Sequence, residues 1–206
     1  EPTLPHVRVA HALVRFLDDG EPITARLLRQ LFESATGASD ASGQWTMRHA
    51  YDALELGLAN VAARAGTELF DGDPAAVIDR LVALTASLPL QSHRSEEQIA
   101  LQQFSTPLPL ACLATVAADL RPADLLLEPS AGNGLLAGPA IAKVRAAALN
   151  ELDDRRRAGL EAMFPDARVT GHDAELIDDL LDASLSPTVV LMNPPFARSC
   201  GRGEDR

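Results

Sequence analysis

Cysteine is scarce. Cys112 and Cys200 are the two thiols of the 206-residue chain, and they lie far apart in no CxxC or Cys/His spacing, which excludes a disulfide framework and offers no zinc site; both read as free thiols. Long apolar runs are missing as well. No stretch approaches the roughly 18 apolar residues of a membrane span, and the opening EPTLPHVRVAH lacks the basic-then-apolar layout of a secretory signal, so a cytoplasmic location is expected by default. Excess positive charge is also absent: 18 Lys and Arg stand against 29 Asp and Glu, a net charge of −11, and neither half of the chain is basic. Binding to a polyphosphate backbone depends on Lys and Arg displacing counterions, and this balance supplies no such driving force. What is present is a mixed composition, 47% hydrophobic and 23% charged, with mean hydropathy near zero. Disordered, collagen-like and membrane-embedded classes do not fit, and the length suits one domain, or one domain plus a substantial appendage.

The first hundred residues read as helices separated by turn chemistry. Val7 to Leu17 places Val7, Val9, Ala10, Leu13, Val14 and Leu17 at helical spacing before Asp18-Asp19-Gly20. Pro22 suits the first turn of a second helix running through Ile23, Leu27, Leu28, Leu31 and Phe32 to Gly37, and residues 38–43 form a small polar loop. A third helix over Trp45 to Arg64 carries Tyr51, Leu54, Leu58 and Val61 on one stripe, and Asp73-Pro74 opens a fourth with Val77, Ile78, Leu81, Val82 and Leu84. A helical bundle is the expectation for this region.

From about residue 101 the pattern changes. Four short apolar runs, Leu125 to Leu127, Ala146 to Leu149, Ala167 to Thr170 and Thr188 to Met192, have the length of buried strands. Glu128, Glu151, Asp173 and Asn193 stand at or just past their ends, about 20 residues apart, which leaves room for one crossover helix each in a right-handed parallel α/β arrangement. The strand ends then share one edge of the sheet, where open parallel sheets bind ligands.

Two segments carry the chemistry. Glu128-Pro129-Ser130-Ala131-Gly132-Asn133-Gly134 is a glycine turn directly after a strand. Its glycines permit positive φ and close backbone approach, and its acid can accept hydrogen bonds from a ligand amine or hydroxyl; an ordinary structural βα turn has the same form. Glu151, at the next strand end, stands either where a carboxylate accepts two ribose hydroxyls or as a solvated charge beside Asp153 and Asp154. Leu135-Leu136-Ala137 after Gly134 departs from GxGxxG and favours a ribose-bearing cofactor other than a dinucleotide. In Asn193-Pro194-Pro195-Phe196, two prolines stiffen the backbone and leave nearby carbonyls free, Asn193 adds a side-chain acceptor, and Phe196 offers a flat apolar face. That set suits a planar heterocycle bearing an amino group; a strand stop with a buried aromatic is the alternative. His172 reads as a strand-end polar residue, and Arg155-Arg156-Arg157 as a solvated helix face with local ion pairs.

Taken together, QFSTP (103–107), LEPSAGNG (127–134), NEL (150–152), GHDAE (171–175) and LMNPPF (191–196) resemble the amino-methylating DNA methyltransferases. The FxTP element precedes the glycine motif and the NPPF motif follows it, as in adenine-N6 enzymes of the gamma arrangement. The wording is most similar to the methylase part of bacterial strawberry-notch-like methylase/helicase proteins. The resemblance covers roughly residues 95 to 206. It says little about the first hundred residues, whose periodicity gives an α-helical N-terminal region over 1–95, and it implies, over 96–206, an incomplete Rossmann-like sheet of the S-adenosylmethionine-dependent methyltransferases, comprising the first four parallel strands of a longer enzyme.

By the same resemblance, Phe104, Thr106 and Pro107 would contact the methionine portion of S-adenosylmethionine, and Glu128, Ser130, Gly132 and Gly134 would surround its amino-acid part. Glu151 would take the ribose hydroxyls and Asp173 the adenine amino group. Asn193 and the Pro194 carbonyl would hold the target amino group, with Pro195 in the same rigid motif and Phe196 stacked on a flipped adenine of DNA. DNA is the implied partner, gripped largely through regions beyond residue 206, so the chain by itself is expected to turn over weakly or not at all. The helical region is a candidate surface for a protein partner or self-association. The rival functions are methylation of RNA bases or protein glutamine, and cofactor binding or docking without turnover. Gly138-Pro139 falls where the first crossover helix should continue, so that helix is expected to be interrupted or to start late.

Overall fold

The computed structural model describes residues 4–89 and 105–194. Its first four helices are α1 (Pro5–Asp18), α2 (Ala25–Thr36), α3 (Met47–Ala65) and α4 (Pro74–Ser87). Proline occupies the first turn of α1 and α4, where the missing N–H costs nothing, and Asp73 caps α4 by accepting from the Ala76 N–H at 3.1 Å. The start of α2 differs from expectation. Pro22 stays outside the helix because Thr24 is the better cap: it sits in extended backbone and its hydroxyl accepts from Leu27 N–H at 3.1 Å. Ile23 and Leu28, flanking that cap at the positions of a hydrophobic staple, are both buried.

Trp45 likewise precedes α3. Its ring is buried, packs on Phe32 with centroids 5.0 Å apart, and donates its indole N–H to Ala38 O at 2.7 Å. Thr46 then leads into the helix, its backbone N–H accepted by His49 Nδ1 at 3.2 Å. The expected stripe on α3 is too narrow. Ala50, Asp52, Ala53, Leu54, Leu56, Gly57, Leu58, Ala59 and Ala62 are buried, so the helix is enclosed on most of its circumference.

The second half contributes α5 (Leu108–Ala117), β1 (Leu125–Glu128), α6 (Gly138–Ile141), β2 (Ala146–Asn150), α7 (Asp154–Met163), β3 (Arg168–Thr170), α8 (Ile177–Leu180) and β4 (Val189–Val190). All four strands are parallel in the order β3-β2-β1-β4, with Leu127 opposite both Ala148 and Val190. The chain is thus α/β with a four-stranded parallel sheet, and strand order reverses between β1 and β4. β4 is shorter than expected because it is paired on β1 alone, although Thr188 N–H and Leu191 N–H still donate to Leu125 O and Leu127 O. α6 is a single turn, as Gly138-Pro139 foretold.

One hydrophobic cluster joins both halves, taking in Leu13, Leu28, Leu56 and Trp45 together with Leu126, Leu149 and Leu160. α3 lies at its centre, touching α1, α2, α6 and α7; the expected boundary at 95/96 falls outside the described residues. Asn60 Nδ2 donates to Met163 O at 2.8 Å and ties α3 to α7. Among the described residues no helix is long and apolar enough to cross a membrane. Cys112 is a free, buried thiol whose pKa burial pushes up to about 11; Cys200 lies outside the described residues.

The closest approach in this core is at the head of α6. A Cβ on Gly138 would stand 2.6 Å from the Ala59 carbonyl oxygen and 3.2 Å from Ala59 Cα, both backbone atoms that cannot swing aside. Gly138→Ala is therefore expected to lower unfolding free energy by about 2 kcal/mol through overpacking, measured by urea denaturation.

Candidate functional site

Asn150 assembles the rim on which the site is built. It is 1% exposed at the end of β2. Its Nδ2 donates to Pro129 O and to His172 O, both at 2.9 Å, and its Oδ1 accepts from Thr170 Oγ1 and His172 N–H, both at 2.8 Å. Its backbone oxygen accepts from Ala131 N–H at 2.8 Å. The side chain thereby uses both donors and two acceptor sites to bind the end of β1 to the end of β3.

A cavity of about 540 Å3 opens at this rim, at the reversal of strand order. β1 and the glycine turn supply Glu128, Ser130, Gly132 and Asn133; the end of β2 supplies Glu151; the end of β3 supplies His172 and Asp173; Asn193 and Pro194 follow β4. Ser105 and Thr106 close it from a distant part of the chain. Thr106 Oγ1 accepts from Asn193 Nδ2 at 3.0 Å, so the FxTP and NPPF elements meet. Of the remaining expected residues, Pro107 heads α5, where its carbonyl accepts from Leu110 and Ala111 N–H. Gly134, at φ +82, shapes the turn, and a Cβ there would press within 3.0 Å of Phe164. Phe104, Pro195 and Phe196 lie outside the described residues.

The cavity is acidic. Glu128, Glu151, Asp173 and Glu175 line it against one guanidinium, Arg156. Glu128 is 2% exposed, and its Oε2 has no hydrogen-bond partner, nor has Ser130 Oγ. Burial drives the Glu128 carboxyl well above the usual carboxylate range, the Ala137 N–H opposes this, and the Glu151 charge adds to it. Glu151 is buried and not a solvated charge. Its Oε2 accepts from Gly132 N–H at 2.7 Å and its Oε1 from Asp153 N–H at 2.9 Å. Burial still raises its pKa, against the pull of those N–H groups and Arg156. Each of its oxygens retains a lone pair for a ligand hydroxyl. Asp173, exposed at the mouth, accepts from Glu175 N–H at 3.0 Å.

The arginine run is also not a solvated face. Arg155 and Arg156 reach Asp52 on α3 at 2.6 and 3.1 Å, and Arg157 pairs locally with Asp154. Burial works against the Asp52 charge, but the Arg156 and Arg155 guanidiniums outweigh it and hold its carboxyl below the usual range. Asn133 completes the group, donating to Asp52 Oδ1 at 3.1 Å and to Glu55 Oε2 at 2.7 Å. Asp52, Glu55, Asn150 and Arg156 were not expected as parts of the site. Two acids one turn apart inside the apolar run of α3 were the available sign.

Two outcomes test this construction. Asn150→Ala strands the buried Pro129 carbonyl and the half-buried His172 carbonyl and N–H, and is expected to cost about 3 kcal/mol in chemical denaturation. For Glu128 the sign follows from linkage. A carboxyl whose folded pKa is raised contributes stability that is full below its unfolded pKa and is lost as pH rises through the folded value. Glu128→Gln, uncharged throughout, should therefore gain on wild type as pH rises from about 5 to about 8, with Tm higher by a few degrees at the upper end in thermal unfolding. No protein-family model, curated protein or solved structure matches the chain, so the acidic cavity and its hydrogen bonds are the basis for a function.

Proposed function

We propose that the cavity binds S-adenosylmethionine and that the chain belongs to an enzyme methylating a planar amino group, with the N6 amino group of adenine in DNA as substrate. The observation that carries this is the buried Glu128 carboxyl with an unpartnered oxygen, in a wall of four carboxyl groups and one arginine. Such a wall favours a cationic occupant, and S-adenosylmethionine carries both an ammonium and a sulfonium. A phosphate-bearing nucleotide is disfavoured for a second reason. The N–H groups that would cradle phosphate are already bonded, Ala131 to Asn150 O, Gly132 to Glu151 and Gly134 to Ala131 O. Arg156 is committed to Asp52.

The residues present fit the group. Glu128 and Ser130 would take its amino-acid end, Glu151 its ribose hydroxyls and Asp173 its adenine amino group. When bound, the cofactor supplies an electrophilic methyl on sulfur. The chain's own part is acceptance and orientation. With its amide nitrogen bonded to Thr106, Asn193 is left with its carbonyl oxygen to accept from a target N–H, and Pro194 O offers a second acceptor on a stiff backbone. Accepting both amino hydrogens would localise the nitrogen lone pair, and holding the amine in place would lower the entropic part of the barrier to its attack on the methyl group that the cofactor would supply, the displaced proton passing to solvent. The resemblance of the five motif segments to adenine-N6 methyltransferases supports adenine in DNA. The net charge of −11 favours a second reading, a protein glutamine amide, which needs no phosphate grip.

Calorimetric titration should show S-adenosylmethionine binding, no detectable binding of ATP or NAD, and about tenfold weaker cofactor binding in Asp173→Ala, the loss of one charge-assisted hydrogen bond. Transfer of a labelled methyl group to DNA, RNA or glutamine peptides by an enzyme containing this chain identifies the substrate. Equal affinity for ATP overturns the cofactor assignment, and cofactor binding without transfer to any of the three leaves a binding module.

A further inference from the structure

Asp52 and Glu55 stand one turn apart on α3, but their surroundings differ. Asp52 is held by two arginines. Glu55, partly buried, instead uses one oxygen to gather two distant segments: Oε2 accepts from Ser105 Oγ at 2.6 Å and from Asn133 Nδ2 at 2.7 Å. Both donors line the cavity. The residue after Ser105 is Thr106, whose hydroxyl accepts from Asn193 Nδ2. An unbroken line of contacts therefore runs from the glycine turn, through α3, to the end of β4. Burial and the nearby Asp52 charge both raise the Glu55 carboxyl against the opposing pull of its two donors, so the position is costly for an acid. Its neighbours on α3, Leu54, Leu56 and Leu58, are buried and apolar.

We propose that Glu55 is a positioning residue of the cavity: it pins Ser105 against the glycine turn, and Thr106 in consequence holds the Asn193 amide with its oxygen free for the target amine. The helical N-terminal region then supplies part of the site itself. The functional consequence rests on the amine-acceptor role proposed for Asn193, whereas the relay is a property of the ligand-free chain and can be tested without a ligand.

The experiment compares wild type with Glu55→Ala, Glu55→Gln, Ser105→Ala and the Glu55→Ala/Ser105→Ala double variant, all in the full chain. Ser105 is exposed, so its variant retains the fold. Hydrogen exchange read by mass spectrometry should accelerate about fivefold or more in peptides covering 105–107 and 191–194 in Glu55→Ala, with β1 and β2 unchanged. Ser105→Ala should reproduce the change at 191–194, and at 191–194 the double variant should add nothing further, because each single variant already removes the Glu55–Ser105 bond. In titrations, affinity for S-adenosylmethionine should fall about tenfold in Glu55→Ala and return to within about threefold in Glu55→Gln, whose amide oxygen accepts the same two bonds. Unchanged exchange at 191–194, acceleration spread over the whole sheet, or additive single effects overturn the relay. Failure of wild type to bind S-adenosylmethionine overturns the cofactor assignment, and the exchange data then decide the relay alone.

Discussion

The four hydrogen bonds of the Asn150 side chain are the constraint on which the rest depends. Parallel strands leave their carboxy-terminal peptide groups unpaired at one edge, and a loop that left those groups buried without partners would lose more than its packing could return. Asn150 resolves this for two neighbouring strands at once, with a donor pair for Pro129 O and His172 O and an acceptor for Thr170 and His172. With the ends of β1 and β3 bound to β2, the first residues of each following loop are committed to one rim. Glu151 then reaches back to Gly132, and the glycine turn closes on it.

The electrostatics of that rim run against stability. Glu128, Glu151 and Glu55 are each pushed upward by burial, and Arg156, the guanidinium that acts on Glu151 and Glu55, is shared with Asp52. A core selected for stability alone has no reason to keep buried Glu128 and Glu151 on a cavity wall with partly buried Glu55 behind it; the cationic ligand proposed for this cavity would offset that cost on binding. The helices add to this from behind the sheet: α3 contributes Asp52 and Glu55 to the wall that the glycine turn leans on. The helical region and the sheet share one core and one polar network.

Much of the fold was legible. Period 3.6 in residues 7–17 and 74–84, the αL glycine after α2 and the cap at Asp73 each reflect local chemistry, and the four apolar runs became the four strands. The misreadings have two causes. Pro22 lost to a better local cap at Thr24, whereas the stripe on α3 was read as if that helix faced one partner, but α3 is surrounded, and its buried polar side chains serve partners about 80 to 100 residues away in sequence, Asn133, Arg155 and Arg156. Local pattern cannot show a pairing at that distance. The arginine run failed in the same way: beside Asp153 and Asp154 it looks solvated, yet Arg156 is 8% exposed because α7 turns it toward Asp52.

Sequence by itself determined which acceptors stand at or just past the strand ends, because the spacing of Glu128, Glu151, Asp173 and Asn193 follows from strand and crossover lengths. It also determined the turn at Gly132 and Gly134, whose positive φ few other residues adopt. Tertiary structure decided which rim carboxyls are pushed upward, since desolvation depends on how α3 and the glycine turn enclose each of them. It also decided that Thr106 meets Asn193. That contact joins positions 87 residues apart, and it arises from the way the rim closes, a geometry that no local preference encodes.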